Sequence, residues 1–146
     1  MFNKNMLKKK MAISVSGLAF AFLLGATAGA EELKMDVTLT GEDQVPAVET
    51  EGHGSGTIEV DAARKVSGSV TTENVPGTMA HIHEAPPGEN GPVVIPLEQE
   101  GDNTWVVPEG VHLTEAQLET LKEGNLYINV HTEENPGGEV RGQLNP

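Results

Sequence analysis

The sequence predicts an all-β fold, an antiparallel β-sandwich of the immunoglobulin-like, Greek-key type with one short α-helix, preceded by a cleavable signal peptide. Three observations carry this expectation. Val, Thr and Ile alternate with polar residues in short bursts over most of the chain, and Gly, Pro, Asn and Asp separate the bursts. A single segment, LTEAQLETLKEG, breaks that period. Short strands at regular spacing with turn residues between them belong to sandwiches and barrels.

The first thirty residues stand apart. Lys4, Lys8, Lys9 and Lys10 form a basic region, Met11 to Leu24 is apolar, and Ala28-Gly29-Ala30 supplies small residues before Glu31. That order is the order of a secretory signal peptide. The apolar run is short of the roughly 20 residues a membrane span requires. Cleavage is expected after Ala30, which places the protein outside the cytoplasm as a secreted chain of residues 31–146 with no transmembrane segment.

Alternation places strands near Leu33–Thr40, Gly56–Asp61, Val66–Thr72, Met79–His83, Val93–Glu98, Thr104–Val107, Leu126–His131 and Glu139–Leu144. In the helical segment Thr114 is the N-cap and Gln117 completes a capping box. Leu113 and Leu118 form the staple, and Gly124 suits the position just past the end. Leu118 and Leu121 make the apolar stripe, which is ordinary core packing.

Charge and cysteine usage remove whole classes of function. Four of the nine Lys+Arg lie in the leader and none of the 22 Asp+Glu do, so the mature chain sets five bases against 22 acids, a net charge of −17. Such a chain repels phosphate backbones and anionic membranes, which excludes nucleic acid as a partner and favours cations and basic surfaces. The absence of cysteine removes disulfides, thiol redox chemistry and thiolate metal sites. No nucleophile elbow, P-loop, dinucleotide fingerprint, H-E-x-x-H or EF-hand loop is present, so no enzyme is expected. Loose Ca²⁺ binding by acidic loops finds no support in ligand spacing.

The stretch MAHIHE carries the chemistry. Successive strand side chains point to opposite faces, so Met79, His81 and His83 share one face and Ala80 and Ile82 the other. The same parity sets Tyr127, Asn129 and His131 against Leu126, Ile128 and Val130, and sets Glu139, Arg141 and Gln143 against Val140, Gly142 and Leu144. The last two strands, joined by TEENPGG, are expected to pair; the shared pattern places Met79–His83 beside them. HEAPPGENGPVV and HTEENPGGEVR also echo one another, each running from a strand-end histidine through an acidic Pro/Gly turn into a Val-bearing strand.

On that arrangement His81, His83 and His131 form a candidate metal site. Two imidazoles at i and i+2 reach one ion, and a third from an adjacent strand completes an open set suited to copper(II), zinc or nickel. Glu84, Glu89 or Glu133 would add a carboxylate or a supporting contact. The competing reading is one solvated sheet face on which histidines are simply tolerated. His53, in what reads as a flexible Gly-rich turn, and His112, before the helix cap, are expected at the surface. Arg141 is expected to pair with a nearby carboxylate, or else to hold a ligand. Tyr127 is expected to pack against cross-strand neighbours, or else to anchor a histidine.

Taken in order, LTGEDQVPAVETEGHGSGTIEV, MAHIHEAPPGENGPVVIPL and LTEAQLETLKEGNLYINVHTEENPGGEVRGQL resemble the CHRD domain of the animal antagonist chordin and of many microbial exported proteins. The resemblance runs from about Leu39 to Leu144. It implies a β-sandwich module without an established general enzymatic activity. The animal member binds growth factors using additional domains, so antagonism of that kind is not expected here. His81, His83, Asn129, His131, Glu139, Arg141 and Gln143 match the family's motif, while Gly91, Pro92, Asn135, Pro136 and Gly138 match it as turn residues. The H-I-H-E stretch is also similar to the histidine strands of copper/zinc superoxide dismutases, which need more histidines and an aspartate.

Three functions are therefore weighed. The first is an exported binding module with a divalent metal, copper or zinc, at the three histidines. The second is a structural or adhesive envelope protein whose polar face meets an extracellular protein or glycan. A metal-dependent oxidoreductase is the least favoured.

Overall fold

A computed structural model describes residues 31–146; the leader read in residues 1–30 lies outside them. Nine antiparallel strands and one helix follow in the order β1 (Leu33–Thr40), β2 (His53–Val60), β3 (Val66–Glu73), β4 (Gly77–Glu84), β5 (Val93–Pro96), β6 (Glu98–Glu100), β7 (Thr104–Val106), α1 (Glu115–Lys122), β8 (Leu126–Thr132) and β9 (Val140–Leu144). Seven of the eight stretches read as strands are present as single strands, and the eighth, Val93–Glu98, is divided. His53 is corrected: it opens β2 instead of sitting in a flexible turn, exposed, with Nε2 3.3 Å from a Glu73 carboxylate oxygen.

The strands form one continuous sheet in the order β5-β4-β8-β9-β1-β2-β3-β7-β6. Its two edges, β5 and β6, are consecutive in the chain with only Leu97 between them. The stretch expected as one strand, Val93–Glu98, thus splits its pairing: β5 pairs with β4 and β6 with β7. The Leu97 amide donates to the Ala80 carbonyl at 2.9 Å and draws the edges together. The result is a nearly closed barrel-like sheet where a two-sheet sandwich was expected. Bringing the edges together leaves only the short strands β5 and β6 with an open side.

Alternation is obeyed where it matters for the site. Ala80 and Ile82 of β4, Leu126, Ile128 and Val130 of β8, and Val140 and Leu144 of β9 all lie in the core. They meet Met35, Val37 and Leu39 of β1, Ile58 of β2, Val70 of β3 and Trp105 of β7. The capping box forms as read: Thr114 accepts from the Gln117 amide at 3.1 Å, and the Gln117 side chain accepts from the Thr114 amide at 2.9 Å. Gly124 takes a φ of 77° past the helix end, and Leu113 and Leu121 are buried beneath it.

A candidate metal centre on the β4-β8-β9 wall

β8 lies between β4 and β9, so the three polar faces expected from parity do adjoin. In the register His81 faces Asn129, His83 faces Tyr127, and Met79 faces His131; across the other edge Asn129 faces Arg141 and Tyr127 faces Gln143. His131 therefore sits diagonally from His81, within the reach of long side chains on adjacent strands. Ligand nitrogens of His81, His83 and His131 all lie within 4.8 Å of one another. Among the described residues no carboxylate joins this cluster, so Glu84, Glu89 and Glu133 are not part of it.

The wall is not a solvated face. Tyr127, Asn129, Glu139 and Arg141 are each at most 5% exposed, and His83 and His131 are 8% exposed. Turns 41–50, 85–92 and 133–139 supply the partners that bury them. Asn90 donates to the Val45 carbonyl at 2.7 Å, which ties two of these turns together. Gly138, at a φ of 118°, has no room for a side chain: a Cβ there would meet the Gln44 amide nitrogen at 2.5 Å and that of Asn129 at 2.7 Å.

The turns also set the protonation of the rings. His83 Nδ1 lies 3.0 Å from the Gly91 carbonyl oxygen, and His131 Nδ1 lies 2.9 Å from that of Pro136. A carbonyl only accepts, so each Nδ1 carries its proton and donates, and each neutral ring keeps its lone pair on Nε2. The sequence echo thus has a structural meaning: each strand-end histidine is oriented by the turn that follows it. This is the outer contact that fixes metal-ligating imidazoles elsewhere.

His131 Nε2 lies 3.0 Å from His81 Nδ1, where it accepts that ring's proton. His83 Nε2 is buried and has no hydrogen-bond partner. Ring centroids of the three lie 4.9 to 5.9 Å apart. Burial, reinforced by the charge His131 and His83 would bear, lowers the His81 pKa from its ordinary value. Burial also lowers that of His83, with the Gly91 carbonyl partly opposing, His131 lowering it further, Asn129 opposing and Arg141 lowering. Both shifts favour the neutral form, which is the one that binds metal.

Tyr127 packs against its cross-strand neighbour His83, and its hydroxyl does not anchor a histidine directly. Its ring stacks on His83 at 4.9 Å and 4°, while its hydroxyl accepts from the Gly91 amide at 3.1 Å. The Arg141 guanidinium carbon lies 3.5 Å from the same ring's centroid, reached from the opposite neighbouring strand. Arg141 corrects the expectation of a carboxylate partner. Its guanidinium donates to the carbonyls of Glu89 at 2.7 Å and Pro86 at 3.2 Å, and more weakly to the Asn90 and Gln143 side-chain oxygens. Burial lowers its pKa from the ordinary value, with Tyr127 and Asp43 opposing.

Gln143 donates to the carbonyls of Ala85 and Gly124, both at 2.8 Å. Glu139 accepts from Asn135 at 3.1 Å. These residues build the wall that carries the histidines and do not touch the cluster. The sequence reading missed the carbonyls of Gly91 and Pro136 as orienting groups, and missed Gln44 altogether. The turn residues were legible, but which of their carbonyls meets a ring depends on turn conformation.

His112 is exposed before the helix, as expected. Among the described residues no helix is long and apolar enough to cross a membrane.

Neither the curated proteins nor the solved structures include a match to this chain. The profile of the CHRD domain matches residues 35–144, which run from Met35 within β1 to the end of β9 and take in the whole histidine wall, and on that match the chain belongs to the CHRD domain family.

Proposed function

We propose that the protein is an exported CHRD-domain binding module that holds a divalent metal ion, copper or zinc, through His81, His83 and His131. The single observation that carries this is the buried, partnerless Nε2 of His83 in a cluster whose other two rings, His81 and His131, meet nitrogen to nitrogen at 3.0 Å. An uncompensated buried polar atom calls for an explanation, and a cation received by these lone pairs supplies one. His81 completes the set through Nδ1 once its proton moves to Nε2.

Two features support the reading. The basic, apolar and small-residue order of residues 4–30 points to export, and the acidic mature chain concentrates cations near its surface. The rival reading, a polar face offered to a protein or glycan, requires Tyr127, Asn129 and Arg141 at the surface, and they are covered. Binding, and not turnover, is what the site is assigned.

The test is calorimetric titration of the purified protein with Zn²⁺ and Cu²⁺ at neutral pH, beside a His81→Ala/His83→Ala double variant. One ion per chain, lost in a variant that keeps its β-sheet spectrum, is the expected result. Equal binding by both proteins, or none by either, overturns the proposal.

A further inference from the structure

The face of β4 that carries the histidines begins one residue pair earlier, at Met79, and Met79 is the direct register partner of His131. We infer that the Met79 thioether completes a three-histidine, one-sulfur set that favours cuprous copper over zinc. The inference rests on the three-histidine metal reading above, chooses copper over zinc, and replaces the divalent ion of that reading with Cu(I).

Placement comes first. Met79, His81 and His83 stand at i, i+2 and i+4 on one side of the strand, and Cβ atoms of directly opposed residues such as Met79 and His131 lie about 4.5–5.5 Å apart. Exposure falls along this row, from 50% at Met79 through a half-buried His81 to 8% at His83. Solvent, and any ion, thus meets the cluster from the Met79 end.

Packing does not account for Met79. It and Val93 are the large apolar residues left exposed among the described residues, while the other aliphatic residues of β4 and β8 are buried. Three rotatable bonds let the thioether swing over the row without disturbing the core.

The donor chemistry then selects the ion. Neutral imidazoles and a thioether form an uncharged set with no carboxylate in the cluster. Soft thioether sulfur is a ligand for cuprous copper, whereas zinc takes imidazole, thiolate or carboxylate donors. A monovalent soft ion also leaves less uncompensated charge against the 1%-exposed Arg141 nearby.

The experiment compares the wild-type protein with Met79→Leu, a volume-conserving change at an exposed position. Cu(I) is supplied anaerobically against a colorimetric chelator, Zn²⁺ affinity is measured in parallel, and X-ray absorption is recorded at the copper edge. The expected result is a Cu(I) affinity at least about tenfold weaker in the variant, the scale on which metal-site contacts act. Zn²⁺ affinity is unchanged, and a sulfur neighbour of copper is present only in the wild type. Equal Cu(I) affinities with nitrogen-only coordination overturn the inference and leave the histidine site standing. Failure of the wild type to bind either ion overturns the metal reading and this inference with it.

Discussion

Tyr127 and His83 are bound to each other through a single glycine. Their rings stack at 4.9 Å and 4°, and both reach Gly91: the Tyr127 hydroxyl accepts from its amide and the His83 ring donates to its carbonyl. Only glycine fits there, because a Cβ would fall 1.7 Å from the Glu84 carbonyl oxygen. The tyrosine, the turn and the histidine therefore form one unit that fixes where His83 Nε2 points.

Tyr127→Phe keeps the stack and removes the acceptor for the Gly91 amide. The expected loss is about 1–2 kcal/mol of stability, from a donor left without its partner. Zn²⁺ affinity falls about tenfold as the His83 ring loosens. Urea unfolding and calorimetry read the two effects, and an unchanged affinity would show that Gly91 is held without the hydroxyl.

Arg141→Lys preserves the charge and loses the planar fork that serves the carbonyls of Pro86 and Glu89 together. It should destabilise the protein by about 1–3 kcal/mol. Faster hydrogen exchange in the 85–92 turn is the accompanying sign. A variant as stable as the wild type would show that the turn does not depend on the guanidinium.

Stability of the metal-free protein should fall as the solution is acidified. Burial lowers the His81 and His83 pKa from 6.5 in the folded state. Well above that value both folded and unfolded rings are neutral. As pH drops through 6.5 the unfolded chain takes up protons first, and the folded state loses stability until its own lowered pKa values are passed. The urea midpoint of the wild type is expected to decline more steeply between about pH 7.5 and about pH 5 than that of His81→Ala/His83→Ala. Parallel declines would place the acid sensitivity elsewhere, in the carboxylates.

Thr114→Ala removes the acceptor at the helix start and breaks the reciprocal pair with Gln117. The cost should be about 1 kcal/mol. Metal affinity should not change, since α1 contributes no residue to the cluster. Thermal unfolding with and without Zn²⁺ separates the two, and a loss of affinity would show that the helix supports the site.

The features legible in the chain were the local ones. Parity placed Ala80 and Ile82 inward and His81 and His83 outward, and the same rule sorted Tyr127, Asn129 and His131 from Leu126, Ile128 and Val130. The Thr114 capping box was equally legible, because its partners are three residues apart. The non-local features came from folding. Alternation gives each strand its faces but not its neighbours, so β8 between β4 and β9, and closure through β5 and β6, emerge only in the folded sheet. Exposure was the larger surprise: polar residues on one face read as solvated, yet β8 is buried on both sides. The covering turns meet that face with carbonyls, and carbonyls belong to every residue, so no side-chain pattern marks the ones that hold Arg141, His83 and His131.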